Sequence, residues 1–535
     1  MKTHHLLSFF LAVFLLEACS ENKITEGKSL DDCPVVTTTQ IIGKDKVTTL
    51  HLDRVKDTLD LPVSRLLDNF RIVPLDNRDE ALIKWETVFA SDNYICTGGI
   101  SQEPCRLFDQ TGRFICQVGA NGQGPGEYWA VYDKYIDEAN KRIYLMPWNT
   151  QSLLVYDLNG QYLSNIPLPT LAPKGVFAID TQKELLTVGL LPFNNIEGAS
   201  VVWQQDFEGN ILHRVDAAPY AIEGDYSNEI DHNGNLADGT FDFSIFNFWD
   251  PRNDTLYHFI AEENRLAPRF TLKQPEKKLQ HSYLELPGYY LADITTEISR
   301  GEVTDRVYVL TDKKTQKGAY VRILNDLIGN RPIKYADFFF KRGYFAFSMD
   351  PGNLLDDIEA ALSHPDRLSP KQQEQLKSLQ ESVSTDDNNY LFIGKIKSEI
   401  NDLALNTFTA RTEEQPAKQP RQTTGTAPKT EATDGEDPDL VYSTATLETW
   451  KSYFPAHNKY KDWDPKDPKQ TLVGAVIDKQ GKPHDLRIIR SSGIKELDEE
   501  VVRLIREAPI TPAKNKNGEE VEQTNWVCMV HFPPK

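Results

Sequence analysis

Cysteine is scarce in this chain, with six residues among 535. Setting Cys19 aside for the reason given below, Cys33, Cys96, Cys105, Cys116 and Cys528 remain, an odd and sparse set that argues against a disulfide framework. Cys96, Cys105 and Cys116 fall in strand-like patterns, where cross-strand pairing and buried free thiols are both open. No cysteine or histidine spacing has the form of a zinc site, and the H-E-x-x-H and G-x-S-x-G patterns are absent, so no catalytic residue, metal or cofactor is assigned. Basic residues are also short: 59 Lys and Arg face 79 Asp and Glu, a net charge of -20 that disfavours a phosphate backbone and makes nucleic acid an unsuitable partner. Long apolar runs are missing as well. The run Leu6–Leu16 falls well below the roughly 20 residues a membrane helix needs, and no second run approaches that length.

What is present suits a well-packed protein, 39% hydrophobic and 10% aromatic, and long enough for at least two folded units. The run Leu6–Leu16 follows Lys2 and reads as the apolar part of a secretory signal. It ends in "LEACS", where Leu16, Glu17, Ala18 and Cys19 resemble the lipobox of bacterial lipoproteins. That resemblance implies a signal peptide over 1–18, an acylated Cys19 and a tether over 19–40. Glu17 departs from the small or uncharged residue usual there, so ordinary cleavage with a free Cys19 stays open. Acyl chains contribute about 0.8 kcal/mol per buried CH₂ and would hold the protein on a membrane. The expected address is the cell envelope, and Ser20 and Glu21, with no Asp beside the cysteine, favour the outer membrane, on its periplasmic or surface face.

The stretches "CRLFDQTGRFI", "LLVYDLNGQYL" and "VVWQQDFEGNIL" say one thing three times. Aligned on their turns they place Asp109, Asp157 and Asp206 in register, each followed three residues later by Gly112, Gly160 or Gly209. The period of about 48 residues is that of a four-stranded propeller blade, and helical periodicity is absent. Each Asp can bond the turn backbone and each Gly can supply the positive φ of a tight hairpin, so the repetition answers to architecture. Later units diverge, with room for about six blades before residue 398. "NLLDDIEAAL" and "SPKQQEQLKSLQES" have helix-forming composition and a Ser-Pro start signal, predicting a helical insertion at about 353–383 in the last blade.

Together with "LDRVKDTLDLPVSRLLDNFRIVPLDN" and the loop "GANGQGPGEY", these features resemble the six-bladed propeller lipoproteins of Gram-negative bacteria, related to NHL-type propellers. The resemblance implies a mainly β fold, a propeller over 41–408, and no catalytic residues. Residues 409–440 have no aromatic side chain and almost nothing to bury, which predicts a disordered linker.

From 441 to 535 the pattern is a small α+β unit, in which Leu497, Val501, Leu504 and Ile505 form one apolar helical stripe. The run "GAVIDKQGKPHDLRIIRSSGIKELDEEVVRLIREAPITPAKNKNGEEVEQTNWVCMVHF" resembles the C-terminal domain of TonB energy transducers. That family adds an extended receptor segment to a sheet edge and can touch peptidoglycan. Carried over, the binding edge is the last strand: Asn525, Trp526, Val527, Cys528, Met529, Val530, His531 and Phe532. A lipid anchor offers no route for force from an inner-membrane motor, so the expectation is a non-enzymatic adaptor: membrane through Cys19, envelope protein or peptide through the tail, and a propeller that binds a ligand. The competing expectation is a propeller enzyme acting on extracellular glycan or peptide, with the tail as attachment device.

Other candidates are weaker. "GANGQGPGEY" lacks the Lys-Ser/Thr end of a phosphate loop and reads as a blade connection. Asp231–Asp242 alternates oxygen side chains like a calcium loop, yet Gly234 comes two places early and the twelfth residue is Asp242, not Glu. Trp129, Tyr132, Tyr135, Tyr144 and Trp148 suit either inter-blade packing or a stacking surface. Acidic residues are too numerous for any pair to stand out.

Overall fold

The computed structural model describes residues 29–407, 441–443 and 450–532, less the stretches 84–86, 100–102, 194–198, 223–228, 247–254, 274–278, 300–301, 334–337, 401–402, 404, 465–468, 491, 493, 516–519 and 522. Cys19, the signal segment and the linker 409–440 lie outside the described residues. The chain divides into two units, Met1–Thr412 and Glu413–Lys535.

The first unit is a six-bladed β-propeller, and the protein is mainly β. Blade 1 is built from Val88–Ala90, Tyr94–Thr97, Cys105–Asp109 and Phe114–Val118; blade 2 spans Val131 to Ala172, blade 3 Gly175 to Asp216, blade 4 Glu229 to Leu272 and blade 5 Gln280 to Asn325. Blade 6 closes the ring from both ends of the unit, because Phe338–Lys341, Tyr344–Met349 and Tyr390–Ile396 take Leu67–Pro74 as their outermost strand. Two more N-terminal segments join distant blades. Asp45–Leu50 runs parallel to Arg265–Leu272 and carries Thr37–Ile42 outside it, and Thr58–Pro62 runs parallel to Gly318–Asn325. Residues 30–40, read from sequence as tether, therefore pack on the propeller: Leu30, Cys33 and Val36 are buried.

Strand alternation gives each sheet two apolar faces, so the interior consists of layers between neighbouring blades. Leu107, Val118, Leu145 and Tyr156 fill the layer between blades 1 and 2; Met146, Phe177, Val188 and Trp203 fill the next. The helical insertion lies between the second and third strands of blade 6, as α1 (Pro351–Leu362) and α2 (Pro370–Ser382). Asp350 caps α1 with Pro351 at the first position, and Ser369 and Gln372 form a capping box on α2. Leu354, Ile358 and Leu376 bury against the layer between blades 5 and 6. The cysteines of the first unit form no disulfide among the described residues, and Cys96 and Cys105 are fully buried.

The repeated turns behave as the sequence predicts, with an addition. The Asp109, Asp157 and Asp206 carboxylates each accept backbone amides of their own turn, and the three glycines have φ of +84°, +78° and +94°. Each turn also leans on the preceding blade: a Cβ on Gly160 would sit 2.0 Å from the Gln117 carbonyl oxygen, and one on Gly112 2.0 Å from that of Pro74. Gly43 has a similar φ of +65° but open space around it. Gly43→Ala is therefore expected to cost about 1–2 kcal/mol for left-handed backbone alone, and Gly160→Ala about 3–5 kcal/mol, since two blades must also part. Urea unfolding of both variants checks this; equal losses would mean the turn bears no inter-blade contact.

The second unit has a three-stranded antiparallel sheet with Lys469–Ile477 in the middle, Pro483–Arg490 on one side and Gln523–Phe532 on the other. Its helices are α3 (Trp450–His457) and α4 (Lys495–Glu507). Leu497, Val501, Leu504 and Ile505 of α4 are fully buried against Val473, Ala475, Ile477, Val530 and Phe532, as the apolar stripe predicts. Asp498 is buried in this otherwise apolar face because it accepts from the Thr471 hydroxyl and the Ser492 amide, both at 2.7 Å.

Candidate functional site

Among the described residues, the centre of the propeller and the outer edge of the tail sheet are candidate places for something else to bind. At the centre, the inner strands enclose a cavity of about 340 Å³ with walls from all six blades, including Phe89, Tyr132, Val176, Asp231, Tyr283 and Phe340. The charged groups facing it fall into contrasting environments.

Asp133, on the first strand of blade 2, is 1% exposed and held from three sides: Lys341 Nζ and Arg342 Nη2 each lie 2.8 Å from its oxygens, and the Phe177 amide donates at 3.1 Å. Burial opposes ionisation, but the two cations outweigh it and hold the carboxyl down at about 2. The Arg342 guanidinium also donates to the Phe177 carbonyl and lies 5.1–5.7 Å from the rings of Phe89, Tyr135 and Phe177. It reaches this position from a hairpin turn, with φ +53° and its amide on the Asn233 carbonyl. Five blades thus meet at one ion cluster.

Glu229 accepts from Lys174 and from the Tyr132 hydroxyl, whose ionisation burial and then that carboxylate suppress. Lys134 is buried and donates to Thr87 Oγ1 at 3.0 Å and to the Gly98 carbonyl. Asp293 pairs with Arg306 through Oδ2 at 2.7 Å, while its Oδ1 is buried with no hydrogen-bond partner among the described residues. Asp231 has neither an ion pair nor a side-chain hydrogen bond among them. Burial first, against the pull of Lys341 and with the charges of Glu229, Asp242 and Asp133, pushes the Asp231 carboxyl up to about 6. Burial, against Arg306 and with Asp231, brings Asp293 to about 6.

Sequence reasoning named Tyr132 in the aromatic set and Asp231 at the start of the calcium-like loop, but did not single out Asp133, Lys134, Glu229, Asp293, Lys341 or Arg342. The available signal was a charged side chain inside the first strand of a blade, as in "VYDKYID" and "EID", where an inner strand should be apolar. The aromatic set divides three ways: Trp129 and Trp148 pair at 5.8 Å near the surface, Tyr135 and Tyr144 stack at 6.5 Å between blades, and Tyr132 alone reaches the cavity. In the calcium-like loop, Asp242 is engaged by His232 and the Gly234 amide, and Asp231 faces the cavity. "GANGQGPGEY" is a blade connection. Ala120–Asn121 pairs with Glu127–Tyr128, the Tyr128 hydroxyl accepts from the Cys105 amide, and Tyr156 bonds the Gly126 carbonyl.

Residues 47–395, the propeller, match the family described as a domain of unknown function, DUF4934. The chain belongs to the DUF4934 family. Downstream of this DUF4934 region, residues 470–533 match the family described as Gram-negative bacterial TonB protein C-terminal. No curated protein matches the chain. Among solved structures, the "Putative exported protein" of Bacteroides fragilis NCTC 9343 is 13% identical, with 64% of this chain and 99% of that one covered at a TM-score of 0.44. A member of the DUF4221 family from Bacteroides vulgatus ATCC 8482 is 12% identical, with 62% and 97% covered at 0.35.

In the TonB-like unit, the predicted binding strand is an edge. Gln523–Phe532 pairs with Lys469–Ile477, register Val527 to Gly474 and Cys528 to Val473, and no second strand lies beyond it among the described residues. Asn525, Trp526, Val527, Cys528, Met529, Val530, His531 and Phe532 all belong to it. Val530 and Phe532 face the core; the side chains of 525–529 and His531 are outside the described set.

Proposed function

We propose that this is a non-enzymatic binding protein of the Gram-negative cell envelope, anchored by lipid at Cys19, that couples a ligand-holding propeller to a segment of another envelope protein. The observation that carries this reading is the open edge of Gln523–Phe532 in a unit of the TonB C-terminal family. An unpaired strand edge presents amides and carbonyls that an added strand satisfies, and proteins otherwise cover such edges. Six blades around a cavity lined by charged, aromatic and aliphatic side chains suit ligand holding, with Asp231 and Asp293 the carboxylates left for recognition.

Successive residues of an edge strand point their amides alternately inward and outward. Of Val527→Pro and Cys528→Pro, both in the regular part of the register, one removes a ladder bond to Lys469–Ile477 and the other removes an outward donor. The inward change should cost roughly 1–3 kcal/mol of stability. The outward one should leave the thermal transition of the full chain in place and abolish capture of envelope proteins from a native extract. Capture that survives both changes in folded protein defeats the edge-pairing assignment.

A further inference from the structure

The charged groups of the central cavity do not balance locally. Asp133 has two cations, Glu229 has Lys174 and a tyrosine hydroxyl, and Lys134 is satisfied by neutral oxygens. Among the described residues that leaves Asp231 without an ion pair or side-chain hydrogen bond and Asp293 with one buried oxygen unengaged, both facing the same 340 Å³ space, with the charge of Asp231 acting on Asp293. Both side chains are half-buried, Asp293 15% exposed, and a carboxylate turned into a confined space with no cation of its own is completed by what enters that space. Among the described residues no cluster of three or more His, Cys, Asp or Glu could hold a metal ion. Part of the remaining wall, with Tyr283, Leu284, Leu291 and Phe340, offers aromatic and aliphatic surface suited to a carbon body with a charged head.

We infer that the propeller cavity binds a small organic amine, its ammonium group seated between Asp231 and Asp293 and its apolar part against Tyr283, Leu284, Leu291 and Phe340. This rests on the reading of the propeller as a ligand-holding body and specifies the chemistry of what it holds. An ammonium supplies three donors in a compact head, matching two acidic acceptors in a confined space, and charge-assisted bonds of this kind are the strong ones. The ammonium competes with protons for the same oxygens. The groups that set this competition are Lys341 from blade 6, Asp133 and Tyr132 from blade 2, Glu229 and Asp242 from blade 4, and Arg306 from blade 5.

The test is calorimetric titration of the full chain with pentylamine, and with pentanol and pentanoate as neutral and anionic matches of the same length. Pentylamine should bind at pH 8 and the other two should not. Lowering the pH from about 8 to about 5 should weaken binding about tenfold per carboxylate, as each becomes protonated. Asp231→Asn and Asp293→Asn should each weaken it about tenfold while the far-ultraviolet spectrum and cooperative unfolding persist. Amine binding that either Asn variant leaves unchanged overturns the inference. Pentanol or pentanoate binding in place of the amine also overturns it and leaves the ligand-holding reading intact. Binding of none of the three defeats the inference and removes the cavity as support for that reading; the edge-strand experiment stands independently of both.

Discussion

Asp231→Asn is expected to make this protein more stable at neutral and alkaline pH. A carboxyl raised from an ordinary value near 4 to about 6 opposes folding once it ionises, and two units correspond to up to about 3 kcal/mol. The folded chain holds this proton between about pH 4 and 6 while the unfolded chain has released it, so wild-type stability falls as pH rises through that window. Below about pH 4 both states are protonated, and the variant should match the wild type. Above about pH 6 the full difference should appear, and urea midpoints at about pH 4 and pH 8 measure it. A native protein that keeps a group costing this much has a use for it, which is the link between the stability effect and amine binding. An Asn variant no more stable than wild type at pH 8 would mean that the carboxylate is compensated in the folded protein, and the cavity would lose its reason to seek a cation.

The sequence made the repeated unit legible because its signal is local. Asp109 to Gly112 is a turn that its own residues complete, and the same holds for Asp157 to Gly160 and for the stripe on α4. What could not be read was what ring closure brings together. Leu67–Pro74 stands in a recognisable stretch, but its partner Tyr390–Ile396 lies more than 300 residues away, and nothing local to Thr37–Leu50 announces parallel pairing with blade 4. The second duty of Gly160, making room for Gln117, has the same origin. So has the site. Asp133 and Asp293 look like any of the other acidic residues, and Asp231 like the first position of a calcium loop, until the six blades converge, and only then do their unequal shares of cation decide which is a strut and which is a receptor.

Asp133→Asn should have the opposite effect to Asp231→Asn, and it is the larger structural loss. Asp133 ties blade 2 to blade 6 through Lys341 and Arg342 and to blade 3 through the Phe177 amide. An amide in its place leaves two inward-facing cations uncompensated, and breaking a buried pair from one side costs about 3–5 kcal/mol. The sign of the pH dependence also reverses. A carboxyl held at about 2 adds stability that is fully present above its unfolded value near 4 and is lost as pH falls through the window from about 4 to 2. The deficit of Asp133→Asn should therefore be constant from neutral pH down to about 4 and shrink below it, where Asp231→Asn has nothing left to gain. Urea unfolding of the wild type and the two variants from about pH 3 to pH 8 separates the cases. A small, pH-independent loss in Asp133→Asn would show that the aromatic rings around Arg342 hold the centre without the ion pair. A large one establishes that a single propeller channel carries two carboxylates of opposite purpose, one closing the ring and one kept open at a cost in stability.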